Sequence, residues 1–95
     1  MPTLSSFFGI VISMYWNDHQ PPHFHARYAE NEVVIRLETL ELEAGHLPRR
    51  AMGLLLEWDG EHRAELWENW ERVQNQQPTL HIAPLELPIR KTCDK

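Results

Sequence analysis

Pro21-Pro22-His23-Phe24-His25-Ala26-Arg27-Tyr28-Ala29-Glu30-Asn31-Glu32-Val33-Val34-Ile35-Arg36-Leu37-Glu38 is the stretch that decides the fold. Successive side chains point to opposite faces of a strand, so residues two apart share a face. Residues 23–29 read as a strand with Phe24, Ala26 and Tyr28 on one face and His23, His25 and Arg27 on the other. Glu30-Asn31-Glu32 reads as a hairpin turn. Residues 33–38 return as a second strand, with Val33, Ile35 and Leu37 inward and Val34, Arg36 and Glu38 outward. Two amphipathic strands joined by a short turn define an antiparallel sheet with one apolar and one polar face.

Upstream, residues 7–16 read as a further strand, with Phe8, Ile10, Ile12, Met14 and Trp16 on its apolar face. Asn17, Asp18, Pro21 and Pro22 punctuate the connection to the next strand, and Pro22 restricts Pro21 to extended geometry. Downstream, Leu40-Glu41-Leu42-Glu43 alternates again as a fourth strand, ended by Gly45. Pro48 then opens a helix, where its missing N–H costs nothing. Ala51, Leu55, Trp58, His62, Leu66, Trp70 and Val73 recur at steps of three and four, which predicts one long helix of about seven turns. Gly60 is its weak point and Pro78 its stop. Residues 79–85 read as an extended edge. The expected fold class is α+β: a small antiparallel sheet of three to four strands packed on one long helix in the C-terminal half. Residues 1–87 form a single domain on this reading, and residues 88–95 a flexible C-terminal tail.

The bulk numbers bound the function. A chain of 95 residues is one domain. Its formal net charge of −5 disfavours non-specific nucleic-acid binding, which needs clustered Lys and Arg, while leaving room for a local basic patch. A single cysteine, Cys93, excludes an internal disulfide and fits a reducing compartment. No basic segment precedes an apolar run at the start, and the longest apolar run is too short to span a bilayer, so the expectation is a cytoplasmic protein with no membrane role.

Chemistry concentrates in Asp18-His19-Gln20-Pro21-Pro22-His23-Phe24-His25-Ala26, which holds three of the six histidines. One reading is a metal site. His23 and His25 point the same way from one strand, and Asp18 or His19 supplies a third ligand to a divalent, zinc-like transition metal. A second is acid–base chemistry on a phosphodiester. There His23 and His25 exchange protons, Arg27 and Arg36 hold the phosphate, and Tyr15 orients or donates. Such a protein is a small ribonuclease, metal-independent or metal-assisted. A third reading is a non-enzymatic binding module whose histidines are structural. Arg49 and Arg50 sit in the helix's first turn, against the macrodipole, and with Trp67 and Trp70 they are candidates for binding a partner. The partner is a small protein or a second copy of the chain. Glu57, Glu61, Glu65, Glu68 and Glu71 form a solvated acidic face, and His62 reads as a hydrogen-bonded core histidine.

The runs Phe7-Phe8-Gly9-Ile10-Val11-Ile12, Asn17-Asp18-His19 and Pro21-Pro22-His23-Phe24-His25-Ala26 have a family look. So do Leu47-Pro48-Arg49-Arg50-Ala51 and the Trp58, His62-Arg63, Glu65-Leu66, Asn69-Trp70 helix pattern. Together they resemble the bacterial family called domain of unknown function 4160, over residues 1–85. The resemblance implies a small prokaryotic protein, often encoded beside a member of domain of unknown function family 2442. It also implies a type II toxin–antitoxin module, with this chain as the toxin, acting on RNA, or as its partner. No catalytic residues carry over with it. Gly60 departs from the family's helix, which more often has a good helix former there.

Overall fold

The computed structural model describes residues 3–15 and 21–85. Among these residues, five strands form one sheet in sequential order: β1 Thr3–Phe7, β2 Ile10–Ser13, β3 His23–Tyr28, β4 Asn31–Arg36 and β5 Leu42–Gly45. Every neighbouring pair is antiparallel. Two helices follow, α1 Arg49–Glu61 and α2 Arg63–Gln74. The class is α+β, with five strands where the alternation suggested three to four.

The added strand comes from the first apolar run. Residues 7–16 are not one strand: Phe7 pairs with Ile10, so the chain reverses over Phe8-Gly9. Phe8 and Gly9 both have positive φ, 50° and 83°, the type I′ arrangement whose twist matches that of paired strands. Phe8 is therefore thrown outward and is 40% exposed, whereas Ile10, Ile12 and Met14 are buried as the alternation requires. The β3–β4 turn also falls earlier than the composition suggested. Tyr28 pairs with Asn31, leaving Ala29-Glu30 as the two-residue loop and placing Glu32 inside β4, opposite Arg27.

Phe24, Ala26, Val33 and Ile35 bury the apolar face of the central strands against Ala51, Leu55, Trp58, Leu66, Trp70 and Val73 from the helices. The stripe read from the sequence is the buried one, but the single helix is a correction. His62, at φ −127° and ψ 29°, ends α1 and begins α2. A seven-turn helix runs about 38 Å, while five strands at about 4.8 Å spacing span about 19 Å. A straight rod would overshoot the sheet, and the break lets both halves lay the same stripe on it. The weak helix former Gly60 precedes the break by two residues. Arg63, just past it, reaches back to the carbonyls of Leu37 (2.5 Å) and Glu38 (3.4 Å).

Residues 79–85 are extended but form no strand. They are tied down by side chains instead. Asn69, buried on α2, donates to the Leu80 carbonyl and accepts from the Leu80 N–H, at 3.0 and 2.7 Å. The Trp58 indole N–H donates to the Ala83 carbonyl at 2.9 Å, and the Ile82 N–H donates to Leu4 of β1 at 2.9 Å.

Gly45 ends β5 at φ +90°, pressed against the backbone of β4: a Cβ there would lie 1.9 Å from the Glu32 carbonyl oxygen. That oxygen accepts the His46 N–H at 3.1 Å. Gly45→Ala combines a left-handed φ with a clash against backbone. It is expected to destabilise the fold by roughly 2 kcal/mol or more, read as a lower urea midpoint; an unchanged midpoint would show that β5 can lift off at no cost.

Candidate functional site

The outer face of the sheet is built by register. Across β2, β3 and β4, Val11 faces Arg27, which faces Glu32; Ser13 faces His25, which faces Val34. Tyr15, just past β2, lays its ring on His25 with centroids 4.2 Å apart. Val11, Ser13, Tyr15, His25, Arg27 and Glu32 line a depression of only about 10 Å³. That is room for about one water, so whatever binds here binds on the surface and is not enclosed.

His25 Nδ1 lies 3.2 Å from Glu32 Oε2. A carboxylate on one ring nitrogen holds the imidazole in place and selects its tautomer, which makes Nε2 the acceptor nitrogen of the neutral ring. Arg27 is exposed and sits directly across from Glu32 in the pairing. The depression thus joins an imidazole, a carboxylate, a guanidinium and a phenol. Glu32 was not singled out from the sequence because the expected turn swallowed it. Moving that turn back one residue is the signal that finds it.

His23 takes a different position from His25. It is 3% exposed, its Nδ1–H donates to the Pro21 carbonyl at 2.7 Å, and its ring lies 5.4 Å from Trp70 of α2. His23 and His25 meet edge to face at 5.2 Å. Tyr15, His25, His23 and Trp70 therefore form a row of rings running from the sheet face into the helix layer. Arg36 pairs with His23, four positions from Glu32 along β4, and its guanidinium is 3.4 Å from Glu43 of β5. It stands about 13 Å of strand from Glu32 and about 7 Å from His25, and it is not among the residues that line the depression.

Among the described residues, no three His, Cys, Asp or Glu side chains gather closely enough to hold a metal ion. Asp18 and His19, which the metal reading invokes, lie outside the described residues. Arg49 and Arg50 are exposed on the first turn of α1, away from the depression. Trp67 is half-buried, and Trp70, at 4% exposure, belongs to the core instead of the surface expected of a partner-binding residue. The His62 Nδ1–H donates to Glu65 Oε1 at 2.5 Å, and its ring lies tilted against Trp58 with centroids 5.4 Å apart.

One titratable group was missed altogether. Asp59 is fully buried, and among the described residues neither carboxylate oxygen has a hydrogen-bond partner; Arg63 approaches to 3.7 Å without bonding it. Burial pushes its pKa up from 3.8 to about 6, and the Arg63 charge only partly offsets this. The signal was present: Asp59 stands four residues after Leu55 and seven before Leu66, inside the apolar stripe. A raised acid favours the fold while protonated, so this stability is full below about pH 4 and lost as pH rises toward 6. The loss is roughly 2–3 kcal/mol. Asp59→Asn is expected to raise the melting temperature at pH 7 and flatten its dependence between pH 4 and 6; a variant that keeps the wild-type slope would assign that slope to another group.

No helix among the described residues is long and apolar enough to cross a membrane. Neither the curated proteins nor the solved structures compared with the chain gave a match. A family model does match, over residues 9–71, from the β1–β2 turn through most of α2, and so takes in the whole outer-face depression. Matched over more than half its length, the chain belongs to the family described as Domain of unknown function (DUF4160).

Proposed function

We propose that this chain is the toxin component of a type II toxin–antitoxin-type module, that its target is RNA, and that the outer sheet face is where it acts. The observation that carries this reading is the His25–Glu32 contact with Arg27 directly opposite. In it, Glu32 fixes the His25 ring, and His25 takes the proton of a ribose 2′-hydroxyl as that oxygen attacks the neighbouring phosphorus. Arg27 holds the phosphate and the charge that develops on it. The Tyr15 hydroxyl is the donor to the leaving 5′-oxygen. His23 serves as a positioning residue, backing His25 from the core. A shallow, open site suits a polymer that drapes over the sheet, and the partner is a small protein that covers this face.

A second reading, a non-enzymatic binding module, is favoured by the burial of His23. One of the two histidines expected to move protons is spent on packing and on Pro21, and the remaining Tyr, His and Arg side chains are also good anchors for a protein partner.

Induced expression in a bacterial host separates the two. His25→Ala and Arg27→Ala, each with verified fold, remove exposed or partly exposed groups, whereas His23→Ala opens the core. The expected outcome is growth arrest by the wild type, relief by both variants, and RNA cleavage in vitro reduced at least about 100-fold in His25→Ala. Absence of arrest by the wild type would sink the toxin reading.

A further inference from the structure

A second surface lies away from the histidine face, where the β1–β2 turn meets the start of α1. Phe8, Tyr28, Pro48, Arg50, Ala51 and Leu54 line an apolar cleft of about 120 Å³, of the size class that takes one ring or one branched aliphatic side chain. Its outer wall is anomalous. A type I′ turn prefers Asn, Asp or Gly at its first central position, yet that position holds Phe8, at φ 50° and 40% exposed. A bulky aromatic in the left-handed region carries backbone strain and leaves apolar surface in water, both of which Asn would avoid. The Tyr28 ring fixes the inner wall by packing on Gly9, whose added Cβ would meet it at 3.2 Å.

The rim is positive. Arg49 and Arg50 open α1, whose first turn has no acidic residue and whose cap Pro48 offers no side-chain bond to the helix N–H groups. The helix dipole adds to the same sign. Neither arginine forms an ion pair among the described residues, and the chain's own glutamates at 57, 61, 65, 68 and 71 lie further along the helices. An apolar slot beside two arginines that make no ion pair among the described residues is complementary to a bulky apolar side chain flanked by carboxylates.

We infer that this cleft docks an acidic segment of another protein, which inserts one apolar side chain between Phe8 and Leu54 and sets its carboxylates against Arg49 and Arg50. The inference uses a different surface from the proposed RNA site and does not depend on it. The test is an NMR titration of the full chain with the acetylated, amidated pentapeptide Glu-Asp-Leu-Asp-Glu. Saturable shifts are expected at Phe8, Tyr28, Arg50 and Leu54, with Kd below about 1 mM. Arg50→Glu is expected to weaken binding at least about tenfold, and so is a peptide with Ser in place of Leu. Phe8→Asn supplies the preferred turn residue, so it should lose binding while keeping or raising the melting temperature. His25→Ala should bind as the wild type does, so failure of the RNA reading leaves this result intact. Absent or unsaturable shifts, shifts that persist in Arg50→Glu and Phe8→Asn, or self-association in sedimentation that Phe8→Asn abolishes would each overturn the inference.

Discussion

The fold depends on the burial of one indole. Trp58 is fully covered; its ring lies 5.3 Å from Phe7 at the end of β1, 6.2 Å from Phe24 in β3 and 5.4 Å from His62 at the helix break. Its N–H is satisfied by the Ala83 carbonyl, so the largest fully buried side chain carries no unpaired polar atom. A single residue of α1 thus fastens an edge strand, the central sheet, the helix junction and the returning C-terminal segment. Remove the ring and each of these loses its common wall, a larger effect than the lost apolar area alone.

The same core reaches outward to the candidate site through His23. Because its Nδ1 is committed to Pro21 and its ring to Trp70, the start of β3 cannot rotate without disturbing the helix layer. His25, two residues on, inherits that rigidity. Glu32 receives its own support from Gly45 and His46, whose backbones close over its carbonyl. The two members of the dyad are therefore held from opposite sides of the sheet, one by an aromatic row and one by a glycine that permits close backbone approach.

Much of this was legible in the residues. Period-two alternation assigned Phe24, Ala26, Val33 and Ile35 to the core and His25 and Arg27 to the other face, and the helical stripe was the buried one. Three features resisted. Phe8-Gly9 looked like part of an apolar strand because Phe is a poor signature for a type I′ turn; only Gly9 hinted at it. The break at His62 continues the stripe's spacing and leaves no gap in it, so the residue pattern alone does not mark it. The placement of Glu32 opposite Arg27 turned on a one-residue choice of hairpin loop, and in a sheet that choice sets every cross-strand neighbour. Asp59 was readable by position in the stripe, but a carboxylate among leucines is ordinarily assigned to solvent. The metal alternative, which needs Asp18 or His19, lies outside the described residues.

The strand order has a consequence for how the chain folds. Each strand pairs with its immediate neighbour in sequence, so most of the sheet assembles from local hairpins at little cost in loop-closure entropy, a low contact order that favours rapid folding. The exception is the bond from Ile82 to Leu4, which joins the last described segment to the first strand. During synthesis, the sheet and both helices can gather before that segment has left the ribosome, but Trp58 stays without its Ala83 acceptor until it arrives. Closure of the core is thereby deferred until residues 82–83 have emerged, and the sheet face exists in outline before the core is locked.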